Sequence, residues 1–588
     1  MIPRLISAVT LLLLFVADLR AQGDPQPPGG VFPSRMLEKR IALQAESDEH
    51  AAGGTNGAVV AGGKAATAAG IDIMKKGGNA ADAAAATILA LSVTDSKLFC
   101  FGGEVPILYR DGMTKNVEVI CGQGVAPRLA TRAYFAKKGG IPNKGIEAAA
   151  VPGALDAVVT LLIRHGSKTF GFVAAPTLRL LEKHAEPWQA DLERTLFRLI
   201  AAEAEAGVDR ESGLKGVSNY FYRGPIAREI DAWSKENGGL IRYSDMATHI
   251  TRIERPISTN FREYQVFKCG AWSQGPALLE ALNIVECFSM KFSITSSDGP
   301  FTIPKGPVES ADLVHFSVEA LKLALADRDA YYADPLFAEV PLEQLLTREY
   351  ARGRAKLIDL DHASLVQRPG DPLHGKALLD EQRAKILLRS GKDAASNDTT
   401  TCLTADKDGN VVAATPSGWS GVVAGKTGVW LGSRLQSFNI WEGHPNCIEP
   451  GKRPRITLSP TIAADESGSV TAISVAGGDN QDQVTFQLLI NSLIVGKDVD
   501  ESVRSRRFLT DHMVGSFSQT PPKLASLKLY ESFDPEIVSA LKAKGHVVTL
   551  HKPPMAAAPT MLRIGLRGNM RYMEAAGDPA ARRHAAAY

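Results

Sequence analysis

Thr399, Thr400 and Thr401 stand in a row directly after Asp398, where a polar stretch gives way to a strand-like pattern. A threonine hydroxyl inside a chain is a weak nucleophile. Cutting the Asp398–Thr399 bond would give Thr399 a free α-amine beside its hydroxyl. Such an amine has a pKa of about 7.7–8.0, so near neutral pH a fraction is free base and can take the hydroxyl proton. Nucleophile and base are then one residue. Farther on, Gly477-Gly478 closes a strand-like run, and a glycine pair there can offer two unhindered backbone N–H groups to a developing oxyanion. Competing chemistries lack their residues. There is no H-E-x-x-H and no sequence cluster of His, Asp and Glu with metal spacing. Ser417–Gly421 (SGWSG) has the wrong spacing for a G-x-S-x-G elbow. Gly421–Thr427 resembles a phosphate loop but is one residue short between its glycines.

These residues need elements to hold them. The stretch AATAAGIDIMKKGGNAADAAAATILALSV predicts a helix, a stop at Gly77-Gly78, and a second helix starting near Asn79. Further helical periodicity covers 153–164, 176–184, 191–206 and 311–326, the last with Leu313, Phe316, Ala320, Leu323 and Ala324 on one face. Residues 369–398 carry few large apolar anchors and read as an exposed, flexible linker. From 399 the period becomes strand-like, with hairpin turns predicted at Asp408-Gly409 and Ser467-Gly468. A mostly helical first part therefore meets a β-rich part at 399, and the tail after Ala575 shows no core-forming pattern.

With 66 basic and 64 acidic residues the net charge is +2, which gives no footprint for nucleic acid or an anionic membrane. Arg4, the apolar run Leu5–Val16 and Leu19-Arg20-Ala21 read as an export signal spanning 1–21, so the expected location is the periplasm or the medium. The run is too short to span a bilayer, and no stable membrane insertion is expected. Residues 22–57, rich in Pro and Gly, read as a flexible tether. The 6 cysteines of an exported chain allow up to three disulfides, and none of the possible pairings is favoured.

Several segments together resemble the γ-glutamyltranspeptidase family: TADKDGNVVAATPSG, GHPNCIEPGKRPRITLSPTI, VAGGDNQDQVTFQLLINSLIVG, the Gly-Gly-Asn-Ala helices, APRLATRAYF, VPGALDA and ALADRDAYYADP. The resemblance is collinear over roughly 58–575, and the similarity is to a divergent, acylase-like branch. It implies an α/β (α+β) N-terminal nucleophile hydrolase in a four-layer αββα sandwich. It also implies a precursor that cuts itself at Asp398–Thr399 into a large subunit (58–398) and a small subunit (399–588), which stay together as a heterodimer. In that reading Thr399 is the nucleophile, Ser417 its assisting hydroxyl, and Gly477 and Gly478 the oxyanion donors, with no cofactor or metal.

The same resemblance exposes departures. Gln123 stands where the family's arginine clamps a substrate carboxylate, and Ser437 where an acidic residue meets the substrate amino group. Trp419 replaces a pocket asparagine, and Ile456 one of two serines, leaving Thr457. Glutamine cannot reproduce a bidentate guanidinium, so the ionic reading of a zwitterionic head is missing. The implied activity is hydrolysis or transfer of a γ-glutamyl group of the glutathione type. The rival is hydrolysis of another acyl amide, glutaryl included, and a third reading is an uncut, non-catalytic binding protein. The stretch 294–306 looks like an inserted loop.

Overall fold

The computed structural model describes residues 49–289, 310–388, 398–567 and 570–588. The signal segment, the tether up to 48 and the insert at 294–306 lie outside these residues. In chain order the strands are β1 (Ala51–Gly54), β2 (Gly57–Ala61), β3 (Val105–Arg110), β4 (Val117–Gly122), β5 (Arg252–Glu254), β6 (Ile257–Phe261), β7 (Tyr264–Lys268), β8 (Cys402–Asp406), β9 (Val411–Ala414), β10 (Thr461–Asp465), β11 (Val470–Ala476), β12 (Phe508–Leu509), β13 (Ser526–Tyr530), β14 (Val547–His551), β15 (Ala558–Arg567), β16 (Met570–Gly577) and β17 (His584–Ala587). Two seven-stranded sheets result, ordered β17-β2-β8-β9-β3-β4-β5 and β1-β16-β15-β11-β10-β7-β6, with β12-β13-β14 as a small third sheet. Every pairing within the two large sheets is antiparallel.

Strand alternation explains the layering. In β2, Ala58 and Val60 face the opposite sheet while Val59 and Ala61 face a helical layer; in β9, Val411 and Ala413 split in the same way from Val412 and Ala414. Because both faces are covered, these strands read as continuous apolar runs rather than as a half-polar pattern. The outer layer on the first sheet is built on α1 (Lys64–Lys75), α2 (Ala80–Thr94) and α3 (Ala154–His165). The outer layer on the second is built on α4 (Gly275–Ser289), α5 (Ala311–Tyr331) and α6 (Gln481–Leu489). The result is the αββα sandwich. The predicted stop between α1 and α2 is present. Asn79 accepts from the Asp82 amide, and the Asp82 carboxylate accepts from the Asn79 amide at 2.9 Å, a reciprocal cap.

Several expectations need correcting. The flexible tether ends before 57, because Ala51–Gly54 pairs with β16 as an edge strand. The linker 369–398 contains a helix, Glu381–Leu387, capped by Asp380; residues 389–397 lie outside the described set. The tail after Ala575 adds β17 to the edge of the first sheet, beside β2. The helix expected at 176–184 is Phe170–Leu181, capped by Thr169 with Pro176 inside it. In α5, Val314–Tyr331 is buried without interruption, so the single apolar face read from the sequence understates its burial. The division into a helical part and a β-rich part fails for the sheets, which interleave strands from both sides of residue 399. All six cysteines are free thiols, five of them buried.

Candidate active site

Antiparallel order places chain-distant residues at one edge. In the first sheet β8 begins just after Thr399, β9 ends just before Ser417, β3 begins just after Glu104, and β4 ends just before Gln123. Since β8, β9, β3 and β4 are consecutive neighbours of alternating direction, these four positions share one rim. In the second sheet β11 ends at Gly477-Gly478, β10 begins after Ile456 and Thr457, and β7 ends before Trp272-Ser273-Gln274, again on one rim. A 2.9 Å hydrogen bond between the Thr415 and Ser474 hydroxyls ties the two rims together.

Thr399 is held at the approach to β8. It forms an antiparallel bridge with Ser417, and the next amide, Thr400 N, donates to Pro416 O at 2.9 Å. Its Oγ1 donates to the Asp398 carbonyl oxygen at 2.7 Å and lies 3.2 Å from Ser417 Oγ. Ser417 Oγ donates to the same carbonyl, so two hydroxyls converge on the oxygen of the bond between Asp398 and Thr399. Arg434 Nη2 donates to Ser417 Oγ at 2.6 Å, and Arg434 Nε donates to Glu104 Oε1 at 2.6 Å. Burial pushes the Glu104 carboxyl up to about 7; Arg434 opposes this and Asp398 adds to it. The Asp398 carboxylate accepts from Trp419 N at 3.1 Å and from Ser433 Oγ at 3.0 Å, with Arg434 Nη2 3.8 Å away. Behind Thr399, Thr400 Oγ1 donates to Asp95 at 2.6 Å, and Arg583 Nη2 reaches Thr399 O at 3.5 Å. The tail thus supplies a buried cation to this rim.

The second rim is a backbone device. Gly477 and Gly478 have φ of 143° and 57°, a left-handed pair that turns the chain from β11 into a short 3-10 turn and then α6. A Cβ on Gly477 would lie 2.4 Å from Ala556 O, and one on Gly478 3.0 Å from the Phe517 ring. The turn is braced from the α5 layer. Arg328 pairs with Asp329 and donates to Asp479 and to Gln274 Oε1, while Gln274 Nε2 donates to Gly478 O at 3.4 Å. The Ser516 amide donates to Asp479 at 2.9 Å.

The other expected pocket residues divide. Gln123, Ser437 and Thr457 are buried, and their side-chain polar atoms have no hydrogen-bond partner among the described residues. Trp419 is half-buried, with Lys144 Nζ 4.8 Å from its ring centroid. Ile456 is the one aliphatic member of this set. It is fully buried in the core between the sheets, its amide bonded to Trp272 O at 3.0 Å. Sequence alone gives Arg434 no place and does not single out Glu104, Ser433, Arg328 or Arg583. Glu104 and Arg583 precede strands, Ser433 and Arg434 open a 3-10 turn and Arg328 lies inside α5, so no local pattern joins them before the chain is folded. Nor does it show the convergence of His315, Glu319 and His546, all buried. There Glu319 is occupied by Lys322 at 2.6 Å and Arg368 at 2.9 Å.

A sandwich of two antiparallel sheets between helical layers, with a threonine at the head of an inner strand, defines the N-terminal nucleophile hydrolase class. Comparison with known proteins agrees. The family model described as gamma-glutamyltranspeptidase matches residues 66–186 and 188–588, and the chain belongs to that family. It is 29% identical over 542 residues to the glutathione hydrolase proenzyme of Escherichia coli K12, covering 82% of this chain and 84% of that one. It is 28% identical over 542 residues to the acylase ACY 1 proenzyme of Pseudomonas sp. SE83, covering 84% and 88%. The crystal structure of cephalosporin acylase from Bacillus halodurans superposes with a TM-score of 0.73 at 25% identity, covering 96% of this chain and 99% of that one. The chain is therefore a hydrolase of this family, and no helix among its described residues is long and apolar enough to cross a membrane.

Proposed function

We propose that this hydrolase cuts itself at Asp398–Thr399 and then hydrolyses acyl amides through an ester on Thr399. The carrying observation is the 2.7 Å approach of Thr399 Oγ1 to the Asp398 carbonyl oxygen, with Ser417 and Arg434 aligned behind it. In self-cleavage Oγ1 attacks the Asp398 carbonyl carbon, and the hydroxyl proton ends on the departing nitrogen. Ser417, itself held by Arg434, donates to the oxygen as it gains charge. Water then hydrolyses the ester and leaves Thr399 with a free α-amine. In turnover that amine takes the Oγ1 proton and passes it to the leaving amine, while the Gly477 and Gly478 amides receive the oxyanion.

For the acyl group, Gln123 and Ser437 supply no charge, and of the two buried cations at this rim Arg434 is the one that faces the Asp398 side chain, while Arg583 reaches the Thr399 carbonyl. This favours an acyl amide without a zwitterionic head. The second reading, a γ-glutamyl amide of the glutathione type, rests on the family and on the glutathione hydrolase relative. Rates on γ-glutamyl, glutaryl and simple acyl anilides separate the two; a preference for the γ-glutamyl anilide overturns the first. Export belongs to the same proposal. N-terminal sequencing of the purified protein is expected to find one chain starting at Gln22 and another at Thr399, and a single uncut chain would return the non-catalytic reading.

A further inference from the structure

The uncut chain already holds one acyl amide in its own site, the Asp398–Thr399 bond. What that bond's acyl group touches is a record of what the site accepts. The Asp398 side chain is 6% exposed. It accepts from the Trp419 amide at 3.1 Å and the Ser433 hydroxyl at 3.0 Å and faces the Arg434 guanidinium at 3.8 Å. Glu104 holds the Nε edge of Arg434, which leaves the Nη2 edge toward Ser417 and Asp398. Arg434 Nη1 is a buried donor without a hydrogen-bond partner among the described residues. This is a built receptor for a carboxylate, two hydrogen bonds away from the nucleophilic oxygen.

We infer that the recess holding the Asp398 carboxylate becomes the acyl-carboxylate subsite of the mature enzyme, and that its preferred substrates are monoamides of succinate, the four-carbon dicarboxylic acid without an amino group. The inference rests on the reading of Thr399 as nucleophile. The chemistry of the two reactions is the link. In self-cleavage the Oγ1–C bond forms, the C–N bond of the peptide breaks, and the hydroxyl proton goes to the nitrogen. The product is an aspartyl ester of Thr399. In turnover an external amide gives the same ester bond on the same oxygen, and its amine leaves with the proton. In the aspartyl ester a two-carbon spacer separates the ester carbonyl from the side-chain carboxylate, the carbon skeleton of succinate. A glutaryl group places its carboxylate one carbon farther out, and a γ-glutamyl group places its carboxylate at that same longer distance and adds an ammonium. An uncharged butyryl group offers nothing to Ser433 or Arg434.

The test uses the processed full-length protein with succinyl, glutaryl, butyryl and γ-glutamyl p-nitroanilides. The succinyl anilide is expected to show at least a tenfold higher kcat/KM than each of the others. Ser433→Ala is expected to reduce the succinyl-to-butyryl ratio about tenfold, mainly through the succinyl KM, and Ser433→Thr to restore it. Equal or better turnover of the glutaryl, butyryl or γ-glutamyl anilide overturns the inference while leaving the amidohydrolase reading intact. If the processed protein turns over none of them, the amidohydrolase reading fails instead. Calorimetry then still decides the recess: tighter binding of succinate than of glutarate and butyrate upholds it, and equal or absent binding overturns it. Should Ser433→Ala fail to process, the wild-type anilide rates and calorimetry are sufficient to uphold or overturn the inference.

Discussion

The two rims of the sandwich do different work by different means. On the first, side chains from three neighbouring strand ends and from the 3-10 turn Arg434–Ser437 form a chain of short hydrogen bonds: Arg434 to Glu104, Arg434 to Ser417, and Ser417 and Thr399 to the Asp398 carbonyl. On the second, the proposed oxyanion donors are backbone amides at Gly477-Gly478, and Arg328, Asp479 and Gln274 brace the turn that carries them. A site can thus keep its reaction on one rim and its electrostatic stabilisation on the other, and the two can fail separately. In the proposed mechanism self-cleavage depends on the first rim, where the Asp398 carbonyl sits, and turnover of an external amide needs both.

That division can be broken by experiment. Thr399→Ala removes the nucleophile and is expected to abolish both cleavage and turnover, seen as one uncut band with no anilide release. Gly477→Ala sets a Cβ against Ala556 O at 2.4 Å and shifts the turn. Misplacing an oxyanion donor costs about 2.7–4 kcal/mol, so kcat is expected to fall roughly 100- to 1000-fold. Cleavage should remain complete by gel, and an uncut Gly477→Ala protein would show that the rims are not separable.

Arg328→Met leaves Asp329 and Asp479 buried without their main cation. Breaking a buried pair typically costs about 3–5 kcal/mol, to be read as a lower urea midpoint together with a loss of kcat. An unchanged midpoint would mean the turn does not depend on the α5 layer.

Glu104→Gln probes the first rim more gently. The folded Glu104 pKa of about 7 lies above its ordinary value of 4.5, because burial disfavours the charge. The native state therefore favours the protonated form. That contribution to stability is complete below 4.5, declines as pH rises toward 7, and is gone above it. Wild type should lose stability relative to Glu104→Gln across that window, measured by urea unfolding at several pH values. The cleavage rate of wild type should also show an inflection near 7 that the variant lacks. A common pH profile for both proteins would remove Glu104 from this role.

How much of this is legible in the sequence differs by residue. Thr399, Gly477 and Gly478 stand out because their chemistry is local and the family segments place them, although threonine at a strand start and a glycine pair at a turn are common. The Asn79 cap and the turns at Gly409 and Gly468 are legible for the same reason: a cap or a hairpin turn is decided within a few residues. Glu104 and Arg434 are not, since 330 residues separate them in sequence and a parallel bridge of Gly102 with Leu431, formed only in the folded chain, brings them together. The burial of Ile456 in the core between the sheets is not legible either, since it depends on the bridge of Ile456 with Ser273. The final strand, β17, escapes notice because His584–Ala587 is too short and small to show a period; its partner β2 decides its structure.

Read alone, the sequence reaches the family and the class of hydrolase. Amino-acid identity sets which atoms can be nucleophile, base and unhindered amide, and a collinear set of family segments sets the sandwich that carries them. The tertiary structure alone decided which charges stand beside the nucleophile, which polar groups are buried, and what holds the Asp398 side chain. Those depend on distances between residues far apart in the chain, and antiparallel packing of two sheets is what brings them together.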